Sequence, residues 1–167
     1  MIVVDIKEAV IGKMKEVFGS DQRRINHALK VLKFSEEILH GEKADPKTAE
    51  TVIITAVLHD IGMHEAERKY NSNSGKYQEI EGPPIARNIM EAMGIDTDVV
   101  ERVCYIIGGH HTPSKVNGLD FQIIWEADLL VNIEEDGLVK SGADISLIVD
   151  KNFKTPTGKG IAGKLYT

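Results

Sequence analysis

Residues 51–62 read TVIITAVLHDIG, eight uncharged residues that run straight into an imidazole and a carboxylate, His59 and Asp60. The apolar part is far shorter than the ~20 residues of a membrane span, so it reads as a helix of the protein core. Asp45-Pro46 supplies its start. Aspartate accepts free amide hydrogens of the first turn, and proline at the first helical position sacrifices no hydrogen bond. This third helix runs to about Asp60.

Upstream, Ile6, Ala9, Val10, Met14, Val17 and Phe18 recur at three- and four-residue intervals, the apolar stripe of a first helix that stops at Gly19. Ser20-Asp21 caps a second helix with Ile25, Ala28, Leu29, Leu32 and Leu39 on its apolar face, His27 beside that face and Gly41 as its stop. Downstream, residues 61–81 turn to Lys, Tyr, Asn, Ser and Gly without sustained period, which predicts a long loop of the kind that usually carries function. Pro83-Pro84 opens a fourth helix to Gly94, and Asp96 caps a fifth through Ile107. Residues 121–133 are apolar on nearly all sides and predict a buried helix, interrupted by Glu126 and Asp128. Residues 144–153 make a last short helix, and residues 154–164 either fold over a site or hang loose.

No strand alternation or repeat is visible. The expectation is an all-α fold, a compact helical bundle of six or seven helices forming a single domain over residues 1–167, with its core at about 20–135. Twenty Lys+Arg against twenty-six Asp+Glu give a net charge of −6, without the basic excess that bulk nucleic-acid binding requires. Cys104, the single cysteine, cannot form an intrachain disulfide and reads as a small apolar filler of an intracellular chain. Asp5, Lys7 and Glu8 near the start are unlike a secretory signal, so the expected location is cytoplasmic and away from membranes.

Ionisable groups inside the most apolar segments need compensation, because an unpaired buried carboxylate costs roughly 3–5 kcal/mol. Asp60 and Asp128 are the two in question, and a divalent cation satisfies both at once. His27 lies one helix, a turn and a returning helix before His59, which brings the two imidazoles to one layer. Two His and two Asp suit iron, manganese or another transition metal such as zinc, and are too nitrogen-rich for calcium or a dedicated magnesium site.

His27, the doublet His59-Asp60 and the distant Asp128 resemble the His…His-Asp…Asp pattern of the HD-domain phosphohydrolase superfamily, over about residues 20–135. The resemblance implies an all-α fold and metal-dependent phosphoester hydrolysis with one or two ions. In its two-metal branches the doublet aspartate bridges the ions and extra histidines follow. His110, with or without His111, stands at the later of those positions, and Glu81 stands where those branches have histidine. The branch that cleaves diadenosine tetraphosphate is closest by eye. The cyclic dinucleotide phosphodiesterase branch fits worse, since its lysine after the doublet's glycine is Met63 here and its Gly-Tyr-Pro segment is missing.

Within that reading, Asp60 is a ligand at the reacting centre, Glu81 is either a ligand or the acceptor of the water's proton, and Glu126 either orients a ligand imidazole or makes a buried salt bridge. Arg24, Lys69, Arg87 and Lys115 are the candidate phosphate-binding cations, while Arg23, Lys30 and Lys33 read as a solvated helix face. The expected function is a metal-dependent phosphatase or phosphodiesterase acting on a small phosphorylated partner, a nucleotide or related compound, with a homodimer left open. Alternatives are a diiron oxygenase related to inositol oxygenase and a metal-loaded, non-catalytic nucleotide-binding domain.

Overall fold

The computed structural model describes residues 3–167, with side chains from Asp5 onward, so residues 1 and 2 of the expected domain lie outside it. The chain runs α1 (Val3–Phe18), α2 (Gln22–Gly41), α3 (Pro46–Leu58), α4 (Met63–Tyr70), α5 (Gly75–Ala92), α6 (Thr97–Ile107), α7 (Gly118–Glu135), α8 (Ile145–Asn152) and α9 (Pro156–Tyr166). A single 3-10 turn, Pro113–Lys115, precedes α7. The all-α expectation holds among the described residues, with nine α-helices rather than six or seven.

The third helix is the axis. Every residue of α3 from Thr51 to Leu58 is buried, because α1, α2, α6 and α7 pack around it. Thr55 is tolerated there because its hydroxyl donates to the Thr51 carbonyl at 2.7 Å. Asp45 caps the helix by accepting from the Thr48 amide at 2.7 Å, with Pro46 at the first position. Truncating one of the buried Ile or Leu side chains here to Ala costs about 2–5 kcal/mol.

Two local expectations are corrected. Residues 61–81 are not one loop: α4 and the first turns of α5 lie inside it. A helix as short as α4 buries only Ala66 and shows no period, but Glu65 in its first turn, Arg68 and Lys69 in its last, and left-handed Asn71 (φ 55°) after it are helix-end signals. Pro83 and Pro84 do not open a helix; they lie inside α5, where the carbonyls of Glu79 and Ile80 lose their helical partners on a turn whose Ile80 faces solvent. α2 does end at Gly41, as expected, but without a left-handed turn at that residue. The residue with positive φ is Lys43 (53°), and Gly41 is needed because a Cβ there would overlap Thr157 of α9.

The tail is ordered as two helices. Residues 154–164 do not hang loose, and α9 lies against α2 and α7 rather than across the cluster described below. Among the described residues, no helix is long and apolar enough to cross a membrane. Cys104 is buried and its desolvation pushes the thiol pKa up, in keeping with a packing role.

Candidate metal centre

Four elements bring their ionisable groups to one point. His27 comes from the first third of α2, His59 caps the C-terminus of α3 with Asp60 beside it, His110 follows α6, and Asp128 projects from the middle of α7. Gly62 lies against the backbone of Glu81 and Gly82, where a Cβ would not fit, so α5 closes over the turn that carries the doublet.

The ligand atoms converge. His27 Nε2 is 3.1 Å from Asp128 Oδ1, 3.3 Å from Asp60 Oδ2 and 3.3 Å from His59 Nε2. His59 Nε2 is 3.3 Å from Asp60 Oδ2 and 3.5 Å from Asp128 Oδ1. The other oxygen of Asp60, Oδ1, is 3.3 Å from His110 Nε2. Asp60 thus faces two imidazoles with one oxygen and a third with the other.

Each imidazole is fixed from behind. His59 Nδ1 lies 2.8 Å from the Ala56 carbonyl and His110 Nδ1 2.7 Å from the Ile107 carbonyl. A carbonyl only accepts, so both Nδ1 atoms carry the proton, and each Nε2 is the atom turned toward the carboxylates, donating to them when protonated and offering a lone pair to a cation when not. His27 Nδ1 sits 3.0 and 3.1 Å from the two oxygens of Glu135, with the same result. Protonated rings would pair with the two carboxylates directly, and a cation lying between them would take the ring protons' place, with the Nε2 lone pairs as its ligands. An ion with ligands at about 2.0–2.2 Å holds neighbouring ligand atoms about 3.0–3.5 Å apart, and the observed separations match. The donor set therefore fits a divalent transition metal.

In the absence of a metal, the same groups compensate one another as ion pairs. Burial alone would push the Asp60 carboxyl up, but the His59 and His110 imidazoles outweigh it and hold it well below the usual carboxylate range. Burial likewise opposes ionisation of Asp128, and hydrogen bonds from His27 and His59 overcome it. Burial would lower His59, yet the two aspartates raise it well above an ordinary imidazole, and His27 is raised in the same way. His111 differs: burial and the neighbouring His110 lower it to about 4, so it is neutral near pH 7. It rests on Gln78 Oε1 at 2.9 Å and forms a second candidate ligand group with Asp60 and His110.

Of the other residues singled out in the sequence, Glu81 is buried but faces away from this cluster, receiving Lys69 Nζ at 2.9 Å and the Tyr70 hydroxyl at 2.8 Å. It joins neither candidate ligand group. Glu126 neither touches an imidazole nor pairs with a base; it accepts the amides of Lys154 (2.8 Å) and Thr155 (3.0 Å), the Thr155 hydroxyl (2.6 Å) and Gln122 Nε2 (2.6 Å). Its burial is explained by tying the tail to α7. The carboxylate behind the His27 ring is Glu135, which sequence reading did not single out. Asp128, Asn132 and Glu135 form a polar stripe spaced i, i+4, i+7 on one face of α7, and that spacing was the available signal.

The cleft beside the cluster has a volume of about 580 Å³, with Arg23, Arg24, His27, Lys30, Met63 and Asn132 among its walls. The four cations chosen from sequence are engaged elsewhere. Arg24 lines the cleft but pairs with Asp21 at 2.7 Å and Glu67 at 2.6 Å. Lys69 is held by Glu81, and Arg87 by Glu101 at 2.6 Å. Lys115 reaches the Gly108 carbonyl at 3.3 Å. Arg23 and Lys30, by contrast, line the cleft and make no ion pair among the described residues.

The HD domain family model matches residues 24–145. The chain belongs to the HD domain family. Among solved structures, this HD domain is similar to the crystal structure of a predicted HD superfamily hydrolase from an uncultured Thermotogales bacterium, at 26% identity and a TM-score of 0.71, covering 99% of this chain and 91% of that one. No curated protein matches. HD domains are metal-dependent phosphohydrolases, and the His/Asp cluster here is the part of this chain that could hold a metal.

Proposed function

We propose that this HD domain hydrolyses a small phosphoester, a nucleotide or a related compound, using metal-activated water. The observation that carries the reading is the convergence of His27, His59, Asp60 and Asp128 within 3.1–3.5 Å, with His110 presenting its own Nε2 to the other oxygen of Asp60. A divalent cation bound there would lower the pKa of a coordinated water and polarise a phosphoryl oxygen. His27, His59, Asp60 and Asp128 are the residues to hold a first ion. Asp60 Oδ1, His110 and His111 offer donors for a second, with Asp60 reaching both.

The remaining work falls to the walls. No serine, threonine or cysteine lines the cleft, which favours water over a side chain as nucleophile. Glu135 keeps the His27 ring in its ligating tautomer. Arg23 and Lys30 stand four residues before and three after His27 on α2, one to either side of the ligand, and draw a phosphate toward the cluster of a protein whose net charge is −6.

Elemental analysis of the purified protein, alongside a phosphoester panel with added Mn, Fe, Ni or Mg, tests the reading. Wild type is expected to carry a transition metal and release phosphate or a phosphomonoester, while His59→Ala and Asp60→Ala lose both metal and turnover. Variants that keep wild-type metal content and activity would overturn it.

A further inference from the structure

The cluster opens on a second side. A chamber of about 190 Å³ lies between the turn after α6, the middle of α7 and the end of α8. It shares His110, His111 and Asp128 with the cluster; its other walls are Trp125, Leu129, Asn132 and Asn152. Trp125, Asp128, Leu129 and Asn132 follow the spacing of one helix face. Their neighbours Ile124, Ala127, Leu130 and Val131 are buried, whereas this stripe is only half-buried because it faces the chamber instead of another helix.

The walls have a definite chemistry. The Trp125 indole is anchored at its edge, Nε1–H donating to Asn152 Oδ1 at 3.2 Å while Asn152 Nδ2 donates to the Ile148 carbonyl at 2.9 Å. The Asn132 carboxamide makes no hydrogen bond among the described residues, so a donor and an acceptor are unspent next to Asp128. No lysine or arginine lines the chamber, which makes it unsuited to a second phosphate. Its volume is below the roughly 300–1,000 Å³ of a pocket for a whole ligand, so it suits one part of a molecule whose remainder crosses the cluster into the larger cleft.

We propose that this chamber is the subsite for the uncharged planar ring of the substrate, a nucleobase-like heterocycle, set against Trp125 and Leu129 with its polar edge toward the Asn132 carboxamide. An aromatic and an aliphatic wall contact the faces of a flat ring, and a carboxamide matches an edge that carries both donors and acceptors. The anionic end then lies on the opposite side of the ions, toward Arg23 and Lys30. The assignment of the ring to a phosphoester rests on the proposed hydrolase activity; the binding of the ring does not.

Trp125 is the single tryptophan of the chain, so its emission reports on the chamber. Titrating the full chain with adenosine, which carries no phosphate, is expected to change that emission saturably, while ribose 5-phosphate does not. Leu129→Phe, which narrows the chamber, and Asn132→Ala, which removes the edge partner, should each weaken adenosine binding by about tenfold or more, equivalent to ~1.4 kcal/mol. Absence of a saturable change, or one undiminished in both variants, would overturn the subsite. Adenosine binding without any phosphoester hydrolysis would instead overturn the enzymatic reading and leave the subsite standing.

Discussion

Glu135 and Glu126 sit on the same helix nine residues apart, and only one of them serves the cluster. Only Glu126 stood out in the sequence, as an acid inside an apolar run; Glu135 lies just beyond that run. What separates them is the partner: a ring nitrogen of His27 for Glu135, the backbone amides of residues 154 and 155 for Glu126. Glu135→Gln can still accept from Nδ1 through its amide oxygen but loses the charge that makes the imidazole a better ligand. Metal affinity is therefore expected to fall by about 10–100-fold, measured by competition with a chromophoric chelator, with the unfolding midpoint of the metal-free protein little changed. Glu126→Gln should do the reverse, keeping metal affinity and losing stability. The same logic explains why the four cations chosen from sequence are occupied by partners in the fold. Nothing in the order of residues tells that Arg24 meets Glu67 or that Lys69 meets Glu81, since these pairs are made by folding. The ligands themselves were legible because a histidine-aspartate doublet at the end of an uncharged helix has no cheap alternative explanation.

At the scale of elements, legibility followed the amount of apolar surface each helix buries. α3 and α7 announced themselves by their long apolar runs, residues 52–58 and 121–133, which few polar residues interrupt, and α2 because Asp21 caps it and its stripe is regular. α4 buries one alanine, and its stability derives from its ends and from the fit of Gly62 against Gly82, which no period records. α9 is a similar case: Gly41 and Gly158 admit it to the face of α2 and α7, and the latter glycine faces the Glu126 carboxylate so closely that a Cβ would overlap it. Gly158→Ala is expected to destabilise the protein by about 1–3 kcal/mol in urea denaturation, by forcing Glu126 off the residue 154 and 155 amides. Asp21 gives α2 a pH signature. Hydrogen bonds from His64 and Arg24 lower its carboxyl from 3.8 to about 2. Because the folded value is the lower one, the stabilisation is complete above the unfolded value and is lost as pH falls through about 2. The urea midpoint of wild type should therefore drop more between about pH 5 and pH 2 than that of Asp21→Asn, which keeps the cap and lacks the titration.

Taken as a whole, the molecule places its densest cluster of buried ionisable groups where its helices meet. α2, α3 and α7 are mutually packed, and their contact ends in two carboxylates and two imidazoles, with His110 from the turn after α6 completing the group. The surrounding apolar core is continuous across these helices, so the desolvation cost of burying these groups is borne by the entire fold rather than by one surface loop. A cation at the centre bonds all of these elements at once and has no equivalent site in the unfolded chain. Its binding energy is then folding energy, growing as the logarithm of free metal over the dissociation constant and reaching about 4 kcal/mol at a thousandfold excess. For a chain of this size each kcal/mol moves the melting temperature by roughly 2–4 °C, so chelation should lower the Tm by about 8–16 °C. His59→Ala is the control that isolates the cause. Its melting temperature should already be low and should respond neither to chelator nor to added metal, as followed by circular dichroism. A wild-type Tm indifferent to chelation, in protein shown by elemental analysis to have carried a stoichiometric metal, would mean that the ion does not hold α2, α3 and α7 together.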